Sequence, residues 1–587
     1  MYNWRDDWEN RYRLRYTDIE PVFADNSQSI TGFEGIVQRE TKGGLGSDRI
    51  DNRRLEDQRV WNHSLSGEHL IGSKIKLNWM ATYARASEER LNERYMTYET
   101  GDAFALNHSV SNPRFPLVTP QGAVPFGAYE LDNISEENQF TKDEDFNSRV
   151  DLELPMNLFG HGGYLKFGGR LRLKNKERGN VFGEYAPTDD RFDSFDDVPR
   201  QDYTDPDYLV GSEYAAGEFV DPEFLGRLDL QNPALFEFDD KPDEYLSANF
   251  NATENITAGY VMANQQVTPK LSMIAGLRFE NTYIEYQGNS VLDEEELQGE
   301  LENSDSYLNI LPGLHLKYDA TENMILRFAW TNTLARPNYY DLVPFRDQRD
   351  EDEELFLGNP ELDPTLSMNF DVMAEKYFQS IGLLSAGVFY KDIQDFIFIS
   401  RQRDFNDELV TNYDLFQPRN GASASLYGFE VAIQRQLHFL PGIWKGLGIY
   451  ANYTFTDSEA TGISNEDGGL RNDRTALPGT TPHMFNASLS FETEKLVLRA
   501  SVNYADAYID ELGDDPFTDR YYDEQLFVDI NGSYAFTPQW RFFVEVNNLT
   551  NQPLRFYQGV PEQTMQVEYY NVRMNAGIKF DIFGSDD

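Results

Sequence analysis

The residue types best suited to holding a polar ligand fall around the segment Ala335-Arg336-Pro337-Asn338-Tyr339-Tyr340. Trp330, Tyr339 and Tyr340 offer aromatic faces, and Asn332, Arg336 and Asn338 offer amide and guanidinium donors. Faces and donors together suit stacking on, and hydrogen bonding to, sugar rings. These six are the candidate substrate-binding residues. Each taken singly also fits a plainer role, since Tyr and Trp form the interfacial girdle of any membrane barrel. Pro337 and Pro344 end a strand and turn the chain under either reading.

Catalytic and metal chemistry find less support. The histidines His63, His69, His108, His161, His315, His438 and His483 are scattered, with no H-E-x-x-H and no close pair at ligand spacing. Gly446-Leu447-Gly448-Ile449-Tyr450-Ala451 matches a dinucleotide fingerprint in form only, because the strand-like ANYTFTD follows where a helix is needed. With no cysteine there is no disulfide, thiolate nucleophile or cysteine metal site. Thr188–Leu246 carries 18 Asp/Glu against 4 Lys/Arg, and further acidic runs stand at 293–296 and 350–354. Several carboxylates could hold Ca²⁺. No EF-hand spacing is present, so the favoured reading is a solvated, self-repelling loop surface. No catalytic residue, metal site or cofactor is assigned.

The elements that must position these residues are strands. From Leu271 to Phe279 one face reads Leu271, Met273, Ala275, Leu277, Phe279, while Ser272, Ile274, Gly276 and Arg278 make the other. Val572, Met574, Ala576, Ile578 and Ile582 alternate likewise with Arg573, Asn575, Gly577, Lys579 and Asp581, and should face lipid while Arg573, Asn575 and Lys579 face a lumen. Short turns near 268–270, 319–323, 379–382, 492–495 and 537–539 alternate with long polar connections, two of them very long, at 88–145 and 176–253. Strand, short turn, strand, long loop is the rhythm of an outer-membrane barrel. The expected strands are 8–20, 31–41, 58–67, 74–87, 146–156, 163–175, 254–267, 271–286, 306–318, 324–335, 367–378, 384–398, 425–437, 447–457, 482–492, 496–508, 524–536, 540–548 and 568–583, about 19 in all. By the turn lengths the first and the last of them both descend toward the short-turn side.

Composition bounds the partners. Aromatics make 14% of the 587 residues and hydrophobics only 40%, which suits half-buried strands. A net charge of -48 repels phosphate backbones and excludes nucleic acid as a general partner. No run of 18 apolar residues offers a transmembrane helix, and Met1–Asn10 has neither the basic nor the apolar region of a signal peptide.

Several segments resemble the C-terminal barrel of TonB-dependent outer-membrane receptors. They are TLARPNYYDLVP at Thr333–Pro344, GNPELDPTLSMNFDV at Gly358–Val372, YGFEVAIQRQ at Tyr427–Gln436, VNNLTNQP at Val546–Pro553 and NAGIKFDIF at Asn575–Phe583. YNWRDDWENRYRLRY at Tyr2–Tyr16 and GSKIKLNWMATYARASEER at Gly72–Arg90 are similar to a subgroup tied to saccharide uptake. The resemblance implies an all-β transmembrane antiparallel barrel of 22 strands, a plug domain and a cell outer-membrane location. No plug is visible here, and a descending first strand would have an even index. Residues 1–587 are therefore expected to be one receptor barrel truncated at its N-terminus, lacking the plug and the first three strands, with its last strand left as an unpaired edge. The family normally ends on an aromatic residue, whereas Gly584-Ser585-Asp586-Asp587 follows Phe583.

The implied function is active uptake of a scarce solute, driven by the TonB complex acting through a plug; an oligosaccharide is favoured through the subgroup resemblance alone, and siderophore, peptide and metal chelate stay open. Outer-membrane lipid and a surface lipoprotein are the other expected partners, and no enzymatic step is required. The rival readings are a passive porin-like or adhesin barrel, and a soluble all-β glycan-acting enzyme. The latter would need two inward carboxylates spaced for acid/base work.

Overall fold

The structure is a computed structural model that describes all residues except 25–28, 73, 210–213, 293–295, 350–352, 379–381, 466–468, 472, 514 and 582–587. The acidic runs at 293–295 and 350–352, the turn at 379–381 and the chain end lie outside the described residues.

The described residues are almost all β, and 27 of their strands belong to one sheet. Its opening strands are β1 (Tyr2–Glu9), β2 (Arg11–Phe23), β3 (Ile30–Gly44), β4 (Arg54–Ile71) and β5 (Ile75–Thr100). The succession continues with β6 (Tyr129–Leu158), β7 (His161–Pro187), β8 (Phe250–Thr268), β9 (Leu271–Leu292), β10 (Glu296–Thr321), β11 (Met324–Ala335) and β12 (Thr365–Tyr377). It ends with β13 (Gly382–Gln394), β14 (Ser423–Gln436), β15 (Leu447–Thr461), β16 (His483–Glu492), β17 (Leu496–Ala505), β18 (Gln525–Ala535), β19 (Trp540–Asn547) and β20 (Arg573–Phe580). From β4 onward each strand pairs antiparallel with the next.

The opening differs from expectation. β1 pairs with β4 and β2 with β3, while β3 and β4 both pair with β5. Segments 31–41 and 58–67 therefore run in the same direction, one above the other, in a single place of the succession. Since β4 descends to the short turn before β5, the strand β1–β2 must rise toward the long loops instead of descending. The parity that made it a fourth strand fails with it, and the succession has eighteen places among the described residues, not nineteen. The last strand begins at Arg573 and not at 568: Glu568 ends a strand, Thr564–Glu568, of a separate four-stranded sheet in the outer loops. Among the described residues β20 pairs with β19 alone, with no ladder to β1 or β2. The outer loops of the two ends nevertheless meet: the Tyr569 hydroxyl donates to the Arg114 carbonyl at 2.8 Å, and the Phe115 and Tyr569 rings stack at 5.3 Å.

One face of this sheet is apolar and open. Register aligns Trp330 with Phe370, Phe370 with Tyr390 and Tyr390 with Tyr427, giving an aromatic row across four strands. On the same outward face Leu308 and Ile310 stay 60% and 54% exposed, and Met574 and Ile578 on β20 67% and 65%. Large apolar groups left open in an unbroken band are what a lipid-facing wall requires. The opposite face is concave and polar. There Thr282 and Ile284 are 0% and 3% exposed, covered by loops that fold inward.

The strands run well past the membrane. β6 has 30 residues, roughly 100 Å of extended chain, where roughly 9–11 residues suffice to cross. Much of the expected loops 88–145 and 176–253 is thus strand. The acidic stretch 188–246 is also not merely a solvated surface: its Phe192, Phe195, Val220, Leu225 and Phe236 form a core with Met96, Tyr98 and Tyr129. Interleaved aromatics give this loop a folded interior while its carboxylates remain outside.

Candidate functional site

The inward-folding loop 336–364 brings the candidate residues to the concave wall. Pro337 closes β11, the short helix Tyr339–Leu342 follows, and Pro344 turns the chain back. Leu342, Val343 and Phe345 pack on Phe250, Ala252, Ile284 and Tyr286 of β8 and β9. Gly358 lets this loop double back, because a Cβ there would collide with the Val343 carbonyl.

Arg336 is the hub. Its guanidinium donates to the Glu280 carboxylate and, at 3.0 Å, to the Thr282 hydroxyl, and lies 3.6 Å from Glu254. Glu280 also accepts from Arg278 at 2.8 Å. Tyr339 donates its hydroxyl to Glu254 at 3.2 Å, and the Lys174 ammonium lies 4.8 Å from its ring centroid. Burial, with Glu254 beside it, pushes the Tyr339 phenol well above its ordinary range. Arg172 donates to Asp145 at 2.7 Å and reaches Glu254 at 3.8 Å, joining loop and wall in one charged network. Two donors stay unsatisfied within it, Arg336 Nε and Asn309 Nδ2.

The six candidates part company here. Arg336 and Tyr339 enter the wall, Tyr340 stacks on Phe345 at 4.7 Å, and Asn338 is exposed at the start of the helix. Trp330 does not join them, whereas Asn332 lines the same cavity as Arg336. Trp330 belongs to the outward aromatic row. Asn332 donates to the Pro312 carbonyl at 3.1 Å, where the β10–β11 ladder ends at Gly313 and Thr331. Pro312 has no N–H, so the ladder stops there and the strands separate. A cavity of about 540 Å³ opens beside Arg336 at that point, lined by Tyr260, Arg278, Glu280, Thr333 and, from the outward face, Pro312 and Leu334.

Sequence reasoning missed Glu254, Glu280, Thr282, Arg172 and Lys174. The signal was present in β7, where Lys166, Arg170, Arg172, Lys174, Lys176 and Arg178 occupy alternate positions opposite Leu165, Phe167, Leu171 and Leu173. Among the described residues no three His, Asp or Glu side chains converge as a metal would need.

The family model described as TonB dependent receptor-like, beta-barrel matches residues 78–549. Among solved structures, the siderophore receptor PiuA from Acinetobacter baumannii gives a TM-score of 0.54 at 13% identity, over 94% of this chain and 71% of that one. The ferric-catecholate import receptor Fiu from K12 E. coli gives 0.50 at 11% identity, over 98% of this chain and 81% of that one. No curated protein matches the chain in sequence. At such identities the structural likeness speaks for the fold alone.

Proposed function

We propose that this chain, which belongs to the TonB-dependent receptor β-barrel family and so to the outer membrane, captures a scarce solute at its outer loops and passes it inward along the charged wall. The family is one of active transport receptors and not of enzymes. Energy comes from the TonB complex acting through a plug, a domain we assign to the working receptor without locating it in residues 1–587. The observation that carries the reading is the inward-folded loop held by Arg336 and Tyr339 over a polar wall, within a barrel whose other face is apolar. A loop that narrows the lumen and is itself lined with donors suits capture better than free diffusion. Arg336, Tyr339, Tyr340 and Asn338 are the proposed contacts at the mouth. Trp330 is reassigned to the wall's outer surface, and Asn332, which lines the cavity beside Arg336, stays a proposed contact.

The oligosaccharide reading rests on the resemblance of Tyr2–Tyr16 and Gly72–Arg90. A ferric chelate is the second reading, prompted by the names of the two solved neighbours. A strain lacking the gene, grown with the solute limiting, tests both. Loss of growth on an oligosaccharide or on a ferric chelate, restored by the gene only when TonB is present, supports uptake and names the class. Restoration without TonB favours a passive pore and overturns the proposal.

A further inference from the structure

One turn on the short-turn side stands apart from its neighbours. β8 meets β9 across residues 269–270, β10 meets β11 across 322–323 and β16 meets β17 across 493–495. Between β14 and β15 the chain takes ten residues, 437–446, reading LHFLPGIWKG. Pro441 and Gly442, at φ +61°, turn it into a short 3₁₀ helix, Gly442–Gly446. Phe439, Ile443 and Trp444 on this turn are 66%, 70% and 55% exposed. Single exposed apolar residues need no account, but three large ones on one turn mark a contact surface.

The strand leading into it explains what that surface meets. On β14 the outward face reads Tyr427, Phe429, Val431, Ile433 and then Arg435, with Tyr427 part of the aromatic row. Tyr427 to Arg435 is roughly 26 Å of strand, which when tilted covers most of an apolar band about 25 Å tall. Arg435 therefore stands where hydrocarbon gives way to headgroups, on a face that a plug in the lumen does not reach. Its guanidinium lies between two rings, 4.3 Å from the Phe378 centroid and 5.0 Å from that of Phe439. Gly382, its partner across the ladder, leaves the room for this, since a Cβ there would stand 3.1 Å from the Phe378 ring and 3.2 Å from Arg435 Cγ. Among the described residues the guanidinium has no ion pair and no hydrogen bond, and its Nε is buried without an acceptor. Gln379, Ser380 and Ile381, outside the described residues, carry no carboxylate side chain.

We propose that Arg435 and the turn 437–446 hold the phosphate of an anionic phospholipid in the periplasmic leaflet of the outer membrane. A lipid-facing arginine is costly at the midplane and nearly free at the interface, so the outward series can end on one. The two rings keep water from its faces, which strengthens the charge, and its planar fork offers parallel donors to phosphate oxygens. Lipid is the fitting source of that phosphate for two reasons. Phe439, beside Arg435, continues the lipid-facing wall past the end of the strand, so acyl chains pack where the phosphate is held. A net charge of -48 repels soluble anions at large, whereas the membrane delivers its own. The inference depends on the barrel's place in the membrane and not on the solute it takes up.

The test is titration of the purified full chain in a non-ionic detergent, read by native mass spectrometry, with three probes: dioctanoyl phosphatidylglycerol, dioctanoyl phosphatidylcholine and glycerol 3-phosphate. Phosphatidylglycerol should bind more tightly than phosphatidylcholine, and glycerol 3-phosphate, a headgroup without chains, should not bind. R435Q should weaken phosphatidylglycerol binding about tenfold, the size of one charged contact, and R435K, a point cation without the fork, should recover only part. F439A lies in the turn, outside every ladder, and should cost about three- to fivefold by removing one ring of the clamp. Heat-modifiable gel mobility checks folding, and F439A decides the matter if R435Q does not fold. Equal binding of the two lipids, glycerol 3-phosphate binding as tightly as the lipid, or an undiminished preference for phosphatidylglycerol in folded R435Q or F439A protein overturns the proposal.

Discussion

Replacing Arg336 with alanine should release the loop 336–364 from the wall. Arg336 connects that loop to Glu280 and Glu254, whose side chains are 9% and 6% exposed. Breaking a buried ion pair by removing one partner costs about 3–5 kcal/mol when the other charge is left alone. Here neither is. Glu280 keeps Arg278 at 2.8 Å, and Glu254 keeps the Tyr339 hydroxyl at 3.2 Å and Arg172 at 3.8 Å. Roughly half the full cost remains, about 2 kcal/mol, which is close to a 30-fold shift in the loop's opening equilibrium.

Amide hydrogen exchange on the chain in detergent reads this shift over 336–364, with β12 and β13 as internal controls. Arg336→Ala should speed exchange in the loop about 30-fold and leave the controls unchanged. Glu280→Gln alone should cost less, and the double variant should show a coupling of about 1–2 kcal/mol. A coupling near zero, or an Arg336→Ala loop that exchanges at the wild-type rate, refutes the reasoning. The apolar packing of Leu342, Val343 and Phe345 would then hold the loop by itself.

Three further outcomes are expected. Trp330→Ala should leave solute binding intact and lower the yield of inserted protein, with Trp330→Phe restoring it, because the ring sits in the outward aromatic row; heat-modifiable mobility and titration separate the two effects. The Tyr260 hydroxyl donates to Asp151 at 2.7 Å across Gly168, where a Cβ would stand 2.5 Å from Asp151 Oδ1, so Gly168→Ala should break that bond and destabilise the barrel by roughly 1–3 kcal/mol, read as a lower unfolding midpoint in guanidinium. In the outer loops, Asp473 is held down to about 2, first by its hydrogen bonds from Arg471. A depressed carboxylate contributes stability that is complete above its unfolded value of 3.8 and is lost as pH falls through about 2. Asp473→Asn should therefore cost about 1–2 kcal/mol at neutral pH after allowance for solvent screening, a small part of that at pH 2 and nothing well below it, measured as local exchange of 473–476.

The part of the fold legible in sequence is the part lipid enforces. Between Leu271 and Phe279 every second side chain must be apolar, so the strand announces itself. Above the apolar band both faces of β5, β6 and β7 meet water or folded loops, and nothing compels alternation, so these strands read as loops although their ladders continue. The tandem of β3 and β4 was hidden for a related reason: each half alternates properly, and only pairing with a common neighbour shows that they share one place. Site residues divided along the same line. Arg336 and Tyr339 stood out by type beside a proline, whereas Glu254, Glu280 and Arg172 needed the register to be seen together.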